Sequence, residues 1–229
     1  MGLGNPLLDI SCNCGQDFLD NYGLKANDVI LADDSRHKDL CKDMESKFEC
    51  NYIAGGSVQN TLRAAQWMVR KPNSMTFFGA IGDDRFGKIM ADKSREQGLN
   101  AIYMIDKDTP TGTCACLISN NNTCRSLVAY LGASQKFRLD HLVQNKQFIE
   151  KARFFYASGF HLVVSPESVM HLAQHAHNNE GKLFCLNLSA PYISQFYSKP
   201  LLEVFPYVDL LFGNETEAEA FAALNGWEV

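Results

Sequence analysis

The sequence predicts an α/β fold in which a doubly wound, mostly parallel sheet is flanked by helices and carries a small antiparallel β lid. The first observation is the rhythm of the second half, where apolar runs recur about thirty residues apart with helical patterns between them. These runs are residues 154–157, 183–186 and 208–212. Such spacing is typical of βαβ units, which build parallel sheets.

The second observation concerns the first half, where several short segments alternate like half-exposed antiparallel strands. They are residues 29–31, 48–53, 112–119 and 126–129. We therefore expect a lid built from about 8–54 and 108–134, and an α/β core from about 55–107 and 135–229. An inserted sheet of this kind is placed to cover the carboxyl ends of the parallel strands, where open α/β sheets bind ligands.

The helices are predicted from their periodicity and their terminal residues. In the first half, helices are expected at residues 57–69 and 88–97, on either side of a strand at 76–80. Another helix begins at residues 165–167, where serine suits the N-cap and proline the first helical position. The last begins at Asn214, and Glu217 stands at the spacing of a capping box.

Composition limits the classes of function. The chain has 229 residues, of which 46% are hydrophobic and 21% charged, and this balance excludes a disordered or collagen-like chain. Its net charge is −5 and it has no basic block, so neither nucleic acid nor an anionic membrane is an expected partner. No apolar run reaches the roughly 18 residues that span a bilayer, and the first residues lack a signal-peptide pattern. We expect a protein of the cytoplasm or nucleus.

Eight cysteines are present, and two pairs have the spacing Cys-x-Cys: Cys12 with Cys14, and Cys114 with Cys116. Each pair places two thiols on one face of a strand. No Cys-x-x-Cys pair recurs at the spacing of a zinc site, so no direct metal ligand is predicted. Reduced thiols are expected, because a disulfide framework belongs to secreted domains.

Two local features could carry chemistry. Gly55 and Gly56 join a strand to a helix start, where backbone amides can approach a ligand, although two glycines before a helix are also typical of a tight turn. Asp9 follows a probable strand, where a carboxylate could bind a ligand or cap a turn. The residues alone leave both alternatives open.

Longer motifs resolve part of this ambiguity. Residues 4–11 read Gly-Asn-Pro-Leu-Leu-Asp-Ile-Ser and residues 54–60 read Ala-Gly-Gly-Ser-Val-Gln-Asn, and together they resemble the adenosine kinases of the ribokinase superfamily. Further matching segments follow in the same order at residues 64–68, 77–84, 110–114, 164–168, 187–191 and 212–217. Sugar kinases of the superfamily share the Gly-Gly loop, but the strings Asn-Pro-Leu-Leu-Asp and Asn-Leu-Ser-Ala-Pro indicate the nucleoside branch.

The resemblance implies a ribokinase-like fold and a definite reaction. Such enzymes transfer the γ-phosphate of ATP to the 5′-hydroxyl of adenosine, giving AMP and ADP in purine salvage. ATP as co-substrate, Mg²⁺ and a monomeric state of the full-length enzyme are implied with it. Two alternatives stay open: a related ribokinase-type sugar or nucleoside kinase, and a non-catalytic nucleoside-binding protein.

Site residues also follow from the resemblance. It assigns Asp9 to the ribose 2′- and 3′-hydroxyls, which suits a carboxylate because each hydroxyl can donate a charge-assisted hydrogen bond. The rest of the ribose pocket is Asn5, Gly55, Gly56, Ser57 and Asn60. Phe160 would stack on adenine, surrounded by Leu7, Leu31, Leu127 and Tyr192. Tyr192 stands where relatives often have phenylalanine, and without the resemblance Phe160 would be taken for a core aromatic.

The phosphate side is assigned in the same way. The resemblance makes Arg125 the lid residue that contacts the reacting phosphate, whereas its position alone would also fit an exposed loop arginine. Asn187, Asn214 and Glu217 would form the environment of Mg²⁺-ATP, mostly through water. The last two could equally serve only as a capping box.

One family motif does not occur in the sequence. Adenosine kinases carry their general base and a phosphate-binding helix start in the string Asp-Thr-x-Gly-Ala-Gly-Asp, which is absent from residues 1–229. In addition, Met1 falls inside the expected first strand, and the last residues are Gly226, Trp227, Glu228 and Val229. We expect a fragment of an adenosine kinase, with negligible kinase activity of its own.

Overall fold

A computed structural model describes residues 1–33 and 35–227 as two sheets with flanking helices. The strands are β1 (Gly2–Leu3), β2 (Leu7–Asn13), β3 (Val29–Leu31), β4 (Asn51–Gly55), β5 (Thr76–Gly82), β6 (Asn100–Asp106), β7 (Thr113–Ser119), β8 (Cys124–Tyr130), β9 (Phe154–Ser158), β10 (Leu183–Asn187) and β11 (Leu210–Phe212). The helices are α1 (Gln16–Asn21), α2 (Leu40–Lys47), α3 (Ser57–Val69), α4 (Arg85–Glu96), α5 (Leu139–Gln144), α6 (Lys146–Lys151), α7 (Gly159–Val164), α8 (Pro166–His177), α9 (Pro191–Phe196), α10 (Ser198–Val204) and α11 (Glu215–Leu224), with 3₁₀ turns at Gly132–Gln135 and Phe205–Tyr207. Val229, the predicted end of the core, lies outside the described residues.

The larger sheet confirms the α/β fold. Its six strands lie in the order β11-β10-β9-β1-β5-β6, and every pairing is parallel. From β1 the chain first adds β5 and β6 on one side, and later β9, β10 and β11 on the other. The winding direction therefore reverses between β1 and β9, the place where doubly wound sheets form a ligand crevice at the carboxyl ends of the strands.

The second sheet, which we call the lid, has the strand order β3-β8-β7-β2-β4. It is only partly antiparallel: β2–β4 and β7–β8 are, whereas β2–β7 and β3–β8 are parallel. The reason for the central pair is topological. The chain enters the lid from the larger sheet at the start of β2 and again at the start of β7, so these two strands run in the same direction. Strands β4 and β8 lead back to the larger sheet.

Alternation along the lid strands separates two faces. Leu8 and Ile10 are fully buried in a core beneath the lid, together with Leu117. Leu7 and Asp9 alternate with these buried residues along β2; they are only half-buried and point to the opposite side of the lid. We call this second side the cleft face.

The predicted bounds of helices agree best with the structure where neighbouring residues mark the end of the helix. The helix at α3 and those at α8 and α11 are confirmed, although the hydroxyl of Ser165, at the N-cap of α8, makes no capping hydrogen bond. Helix α4 begins before Lys88, because the Asp84 side chain accepts a hydrogen bond from the Gly87 amide and caps Arg85–Glu96. The strand predicted from residue 48 was wrong at its start, since Phe48 ends α2.

Among the described residues, no helix is both long enough and apolar enough to cross a membrane.

Candidate functional site

A cavity of about 260 Å³ lies where the winding direction reverses, at the carboxyl ends of β1 and β9. Seven predicted site residues line it: Asn5, Leu7, Leu31, Gly56, Ser57, Phe160 and Tyr192. Six further lining residues were not predicted: Ala129, Leu131, Gln135, Ser158, Val163 and Val164. The lining combines apolar side chains with a few polar groups, as in most small-molecule sites.

Two aromatic rings form one wall. Phe160, in the first turn of α7, and Tyr192, in α9, have ring centroids 6.2 Å apart and an angle of 34° between their planes. Phe160 packs partly against the main core, whereas Tyr192 is 43% exposed. An aromatic wall beside an open cavity suits a flat heteroaromatic group.

Asn5 is held in place by a histidine that the sequence analysis did not single out. His161 is fully buried, and burial lowers its pKa to about 3, so the ring is neutral. Its Nδ1 lies 2.6 Å from Oδ1 of Asn5, to which it donates. The Asn5 amide nitrogen faces the Phe160 carbonyl at 3.5 Å. The only available signal was that His161 directly follows Phe160.

The Gly-Gly loop passes close to the same backbone. Gly56 has φ of +100°, and a Cβ at this position would overlap the carbonyl oxygen of Asn5. A Cβ at Gly55 would overlap the carboxylate of Asp9. Helix α3 starts at Ser57, so the free amides of its first turn lie beside the cavity. Both glycines therefore permit close approaches that another residue would block.

Asp9 does not line the cavity but lies next to it on the cleft face. Asp9 lies two residues after Leu7 in β2, and Leu7 pairs with Gly55 of β4. On its other side Asp9 pairs with Cys114 of β7. Desolvation raises the pKa of Asp9 to about 6, while Arg63 and Arg125 oppose this shift. The carboxylate is thus largely ionised at neutral pH.

Three other predicted residues also lie outside the cavity lining. Gly55 is buried behind Asp9. Asn60 is exposed, and its Oδ1 accepts a hydrogen bond of 2.7 Å from Arg63. Leu127 lies on β8, half-buried between Cys116 and Val29. Asn60 is therefore already engaged by a neighbouring side chain.

Arg125 is exposed near the outer end of the lid, where β8 pairs it with Ile118 of β7. By alternation it shares the cleft face with Leu127. The preceding turn has Asn120, Asn121 and Asn122, all with positive φ, a conformation that asparagine tolerates. The turn leaves the guanidinium beside the cleft, close enough for its charge to act on Asp9.

Asn187, Asn214 and Glu217 meet at one edge of the larger sheet. Asn187 ends β10 opposite Phe212, the last residue of β11, and Asn214 follows two residues after Phe212. Asn214 and Glu217 form the capping box predicted for them. The side-chain oxygens of both asparagines already accept hydrogen bonds, Asn187 from the Ser189 amide. This group could therefore bind an ion through water more readily than by direct contact.

The buried histidine gives a pH-dependent prediction for stability. Because the folded pKa of His161 lies below its unfolded value of about 6.5, unfolding takes up a proton, and stability falls as the pH drops below 6.5. Between pH 7.5 and pH 5 the loss should be about 2 kcal/mol. Urea unfolding at both pH values measures it, and His161→Leu should lose about 2 kcal/mol less than the wild type.

Asp9 changes the stability of the wild type in the opposite direction, because its raised pKa makes the fold more stable as the pH falls from about 6 to 4. The difference between His161→Leu and the wild type isolates the effect of His161. The matched control is His171→Leu, which makes the same replacement at a half-exposed histidine on α8. An unchanged pH dependence in His161→Leu would contradict the role given to its burial.

Comparison with known proteins gives a consistent family. The family model described as pfkB family carbohydrate kinase matches residues 16–229. Adenosine kinase 2 of Arabidopsis thaliana is 43% identical over 231 residues, covering 100% of this chain, and the chain spans 66% of that relative's length.

Solved structures agree. Anopheles gambiae adenosine kinase in complex with P1,P4-di(adenosine-5) tetraphosphate is 44% identical, with a TM-score of 0.84, and the match covers 98% of this chain and 67% of that one. Adenosine kinase from Schistosoma mansoni in complex with adenosine is 37% identical, with a TM-score of 0.85, and the match covers 98% of this chain and 65% of that one.

Proposed function

Since the chain belongs to the pfkB family of carbohydrate kinases, we propose that it binds adenosine as the acceptor of phosphoryl transfer from ATP, as an adenosine kinase. The observation that carries the proposal is the cavity bordered by the rings of Phe160 and Tyr192, which opens beside Asn5 at the crevice of the larger sheet. The similarity to proteins named adenosine kinase supports it. The products would be AMP and ADP.

The aromatic wall suits adenine rather than a sugar. A purine offers a flat π-face that can stack on Phe160, and the partly exposed Tyr192 beside it extends the same wall. Stacking of a base on an aromatic side chain contributes about 1–3 kcal/mol. A hexose has no such face, so the two rings would add little to its affinity.

Ribose recognition would fall to polar groups at the other end of the cavity. The ionised Asp9 can accept hydrogen bonds from two neighbouring hydroxyls. Asn5, fixed by His161, and the backbone around Gly56 add donors and acceptors. These groups distinguish a nucleoside from a free base, because the base alone would leave the Asp9 carboxylate without partners.

Transfer of the phosphoryl group requires charge compensation. Arg125 on the cleft face is a planar cation that can contact the transferred group. Its distance from the cavity would have to shorten as the lid approaches the larger sheet. No residue of this sequence is assigned as general base, because the family string that carries it does not occur in residues 1–229.

Asn187, Asn214 and Glu217 fit the environment of Mg²⁺-ATP. Their donor set is made of oxygen atoms, and Glu217 is a buried carboxylate at the edge where the ligand crevice lies. With both asparagine oxygens engaged, these residues would hold the hydrated ion through its waters. When bound, Mg²⁺ neutralises charge on the ATP phosphates.

The proposal is tested by calorimetric titration of the chain with adenosine, ribose and fructose. We expect adenosine to bind at least about 100-fold more tightly than either sugar, and Phe160→Leu to weaken adenosine binding about 10-fold or more. Phe154→Leu is the matched control, since Phe154 is a 59% exposed phenylalanine at the opposite end of β9. Tighter binding of fructose would instead indicate a sugar kinase.

A further inference from the structure

The cleft face carries a cluster of three side chains, of which the proposed function uses only Asp9. Asp9, Cys114 and Cys116 have ligand atoms that all lie within 4.8 Å of one another. The parallel pairing of β2 with β7 places Cys114 beside Asp9, and Cys116 follows two residues later on the same face. In the described part of the chain, this is the one group of three His, Cys, Asp or Glu side chains arranged so closely.

The spacing of the two thiols fits a tetrahedral metal ion. The sulfur atoms of Cys114 and Cys116 are 3.9 Å apart. Two thiolates bound to Zn²⁺ at about 2.3 Å in tetrahedral geometry are separated by about 3.8 Å. A disulfide would need the sulfurs to approach to about 2.05 Å, whereas a tetrahedral ion bridges them at close to their present separation. The Cα atoms, roughly 6.6 Å apart in an extended strand, lie at the upper end of the range that disulfides span.

The surroundings also balance the charge. Two thiolates and a carboxylate carry three negative charges against two positive charges on the ion, which leaves one negative charge. Arg63 and Arg125 lie close enough to act on Asp9 and would offset it. Cys114 and Cys116 are 7% and 9% exposed, so their thiols are largely shielded from bulk solvent.

We propose that Asp9, Cys114 and Cys116 bind a thiophilic divalent cation, Zn²⁺ or Cd²⁺, and that the bound ion excludes adenosine. Two metal–sulfur bonds and one metal–oxygen bond form, each thiol releases a proton to solvent, and water takes the fourth position. No electron is transferred. The exclusion of adenosine rests on the proposed function, because it requires Asp9 to bind ribose; the metal site does not.

The site is tested first without nucleoside. The reduced chain is titrated with Cd²⁺, and the thiolate-to-metal charge-transfer absorption is recorded. We expect one tight equivalent in the wild type, weakened at least about 100-fold in the double variant Cys114→Ala/Cys116→Ala. The matched control is Cys12→Ala/Cys14→Ala, which removes the other Cys-x-Cys pair and should still bind one equivalent of Cd²⁺ tightly. Equal binding by all three proteins would overturn the proposal.

A measurement on the wild type does not depend on the folding of a variant. X-ray absorption of the chain loaded with one equivalent of Zn²⁺ should show two sulfur ligands at about 2.3 Å and oxygen ligands at about 2.0–2.2 Å. A shell of oxygen and nitrogen alone, or of four sulfurs, would contradict the assignment to Asp9, Cys114 and Cys116.

Competition with adenosine is measured last. One equivalent of Zn²⁺ should weaken adenosine binding at least about 10-fold in the wild type and in Cys12→Ala/Cys14→Ala, but not in Cys114→Ala/Cys116→Ala. If Zn²⁺ binds with two sulfur ligands and adenosine affinity is unchanged, the exclusion is wrong. If adenosine fails to bind even without metal, the proposed function fails, and the metal titration still decides the site.

Discussion

Replacing Asp9 with asparagine is expected to weaken adenosine binding about 100-fold. A carboxylate accepting hydrogen bonds from two ribose hydroxyls stabilises the complex more than a neutral amide of the same shape, by about 3 kcal/mol. Calorimetry on Asp9→Asn measures the loss. Ser11→Ala is the matched control, since Ser11 lies two residues further along β2 on the cleft face. An unchanged affinity would remove Asp9 from the nucleoside site.

The same substitution is expected to stabilise the fold at neutral pH. Burial raises the pKa of Asp9 from 3.8 to about 6, so the folded chain binds a proton more tightly than the unfolded chain. The resulting stabilisation is complete below pH 3.8 and is lost as the pH rises through 6. At pH 7.5 the free energy of unfolding of Asp9→Asn should therefore exceed that of the wild type by about 1–2 kcal/mol, after allowance for the partial solvent exposure of Asp9. Urea unfolding of both proteins measures this difference.

At pH 4 this difference between Asp9→Asn and the wild type should nearly vanish. A variant that is less stable at pH 7.5 would contradict the account. Loss of affinity together with a gain in stability is the signature of a group held in an unfavourable environment because its ligand needs it.

Gly56→Ala is expected to destabilise the fold by at least about 3 kcal/mol. At φ of +100° a side chain is strained, which alone contributes about 1–3 kcal/mol. The added Cβ would also overlap the Asn5 carbonyl oxygen and lie 3.1 Å from Cα of Pro6, and both are backbone atoms that cannot rotate away. Urea unfolding measures the loss, and adenosine binding should fall with it.

Gly181→Ala separates the two contributions. Gly181 also has a positive φ, +77°, but a Cβ there would meet nothing within 4 Å. The free energy of unfolding of Gly181→Ala should therefore fall only by the cost of the strained backbone conformation, about 1 kcal/mol. Equal losses in Gly56→Ala and Gly181→Ala would show that the approach to Asn5 is unimportant.

The sequence was a good guide to elements defined by neighbouring residues. The capping box of Asn214 and Glu217 is a contact over three residues, so its pattern is visible in the sequence. The parallel pairing of β2 with β7 was not predicted, because alternation identifies a strand and its buried face but not the direction of its partner. Long-range topology decided that pairing.

The candidate site shows the same division. The Gly-Gly loop and the Asn-Pro segment are recognisable motifs. Of the residues they indicated, Asn5, Leu7, Gly56 and Ser57 line the cavity, whereas Asp9, Gly55 and Asn60 lie outside its lining. The hydrogen bond between Asn5 and His161 joins residues 156 positions apart, and no local pattern marks it. That contact depends on where the fold places α7 relative to the loop that follows β1.

The chain crosses between the two sheets four times: at Asn5, at Gly56, at residues 107–112 and at Leu131. These crossings touch one another, since a Cβ at Gly56 would meet Asn5 and one at Gly112 would meet Leu7 and Leu131. Three of them line the cavity. The connections between the sheets and the lining of the cavity are therefore made of the same backbone. We expect ligand affinity and lid orientation to be coupled, so that a substitution that stiffens a crossing changes both.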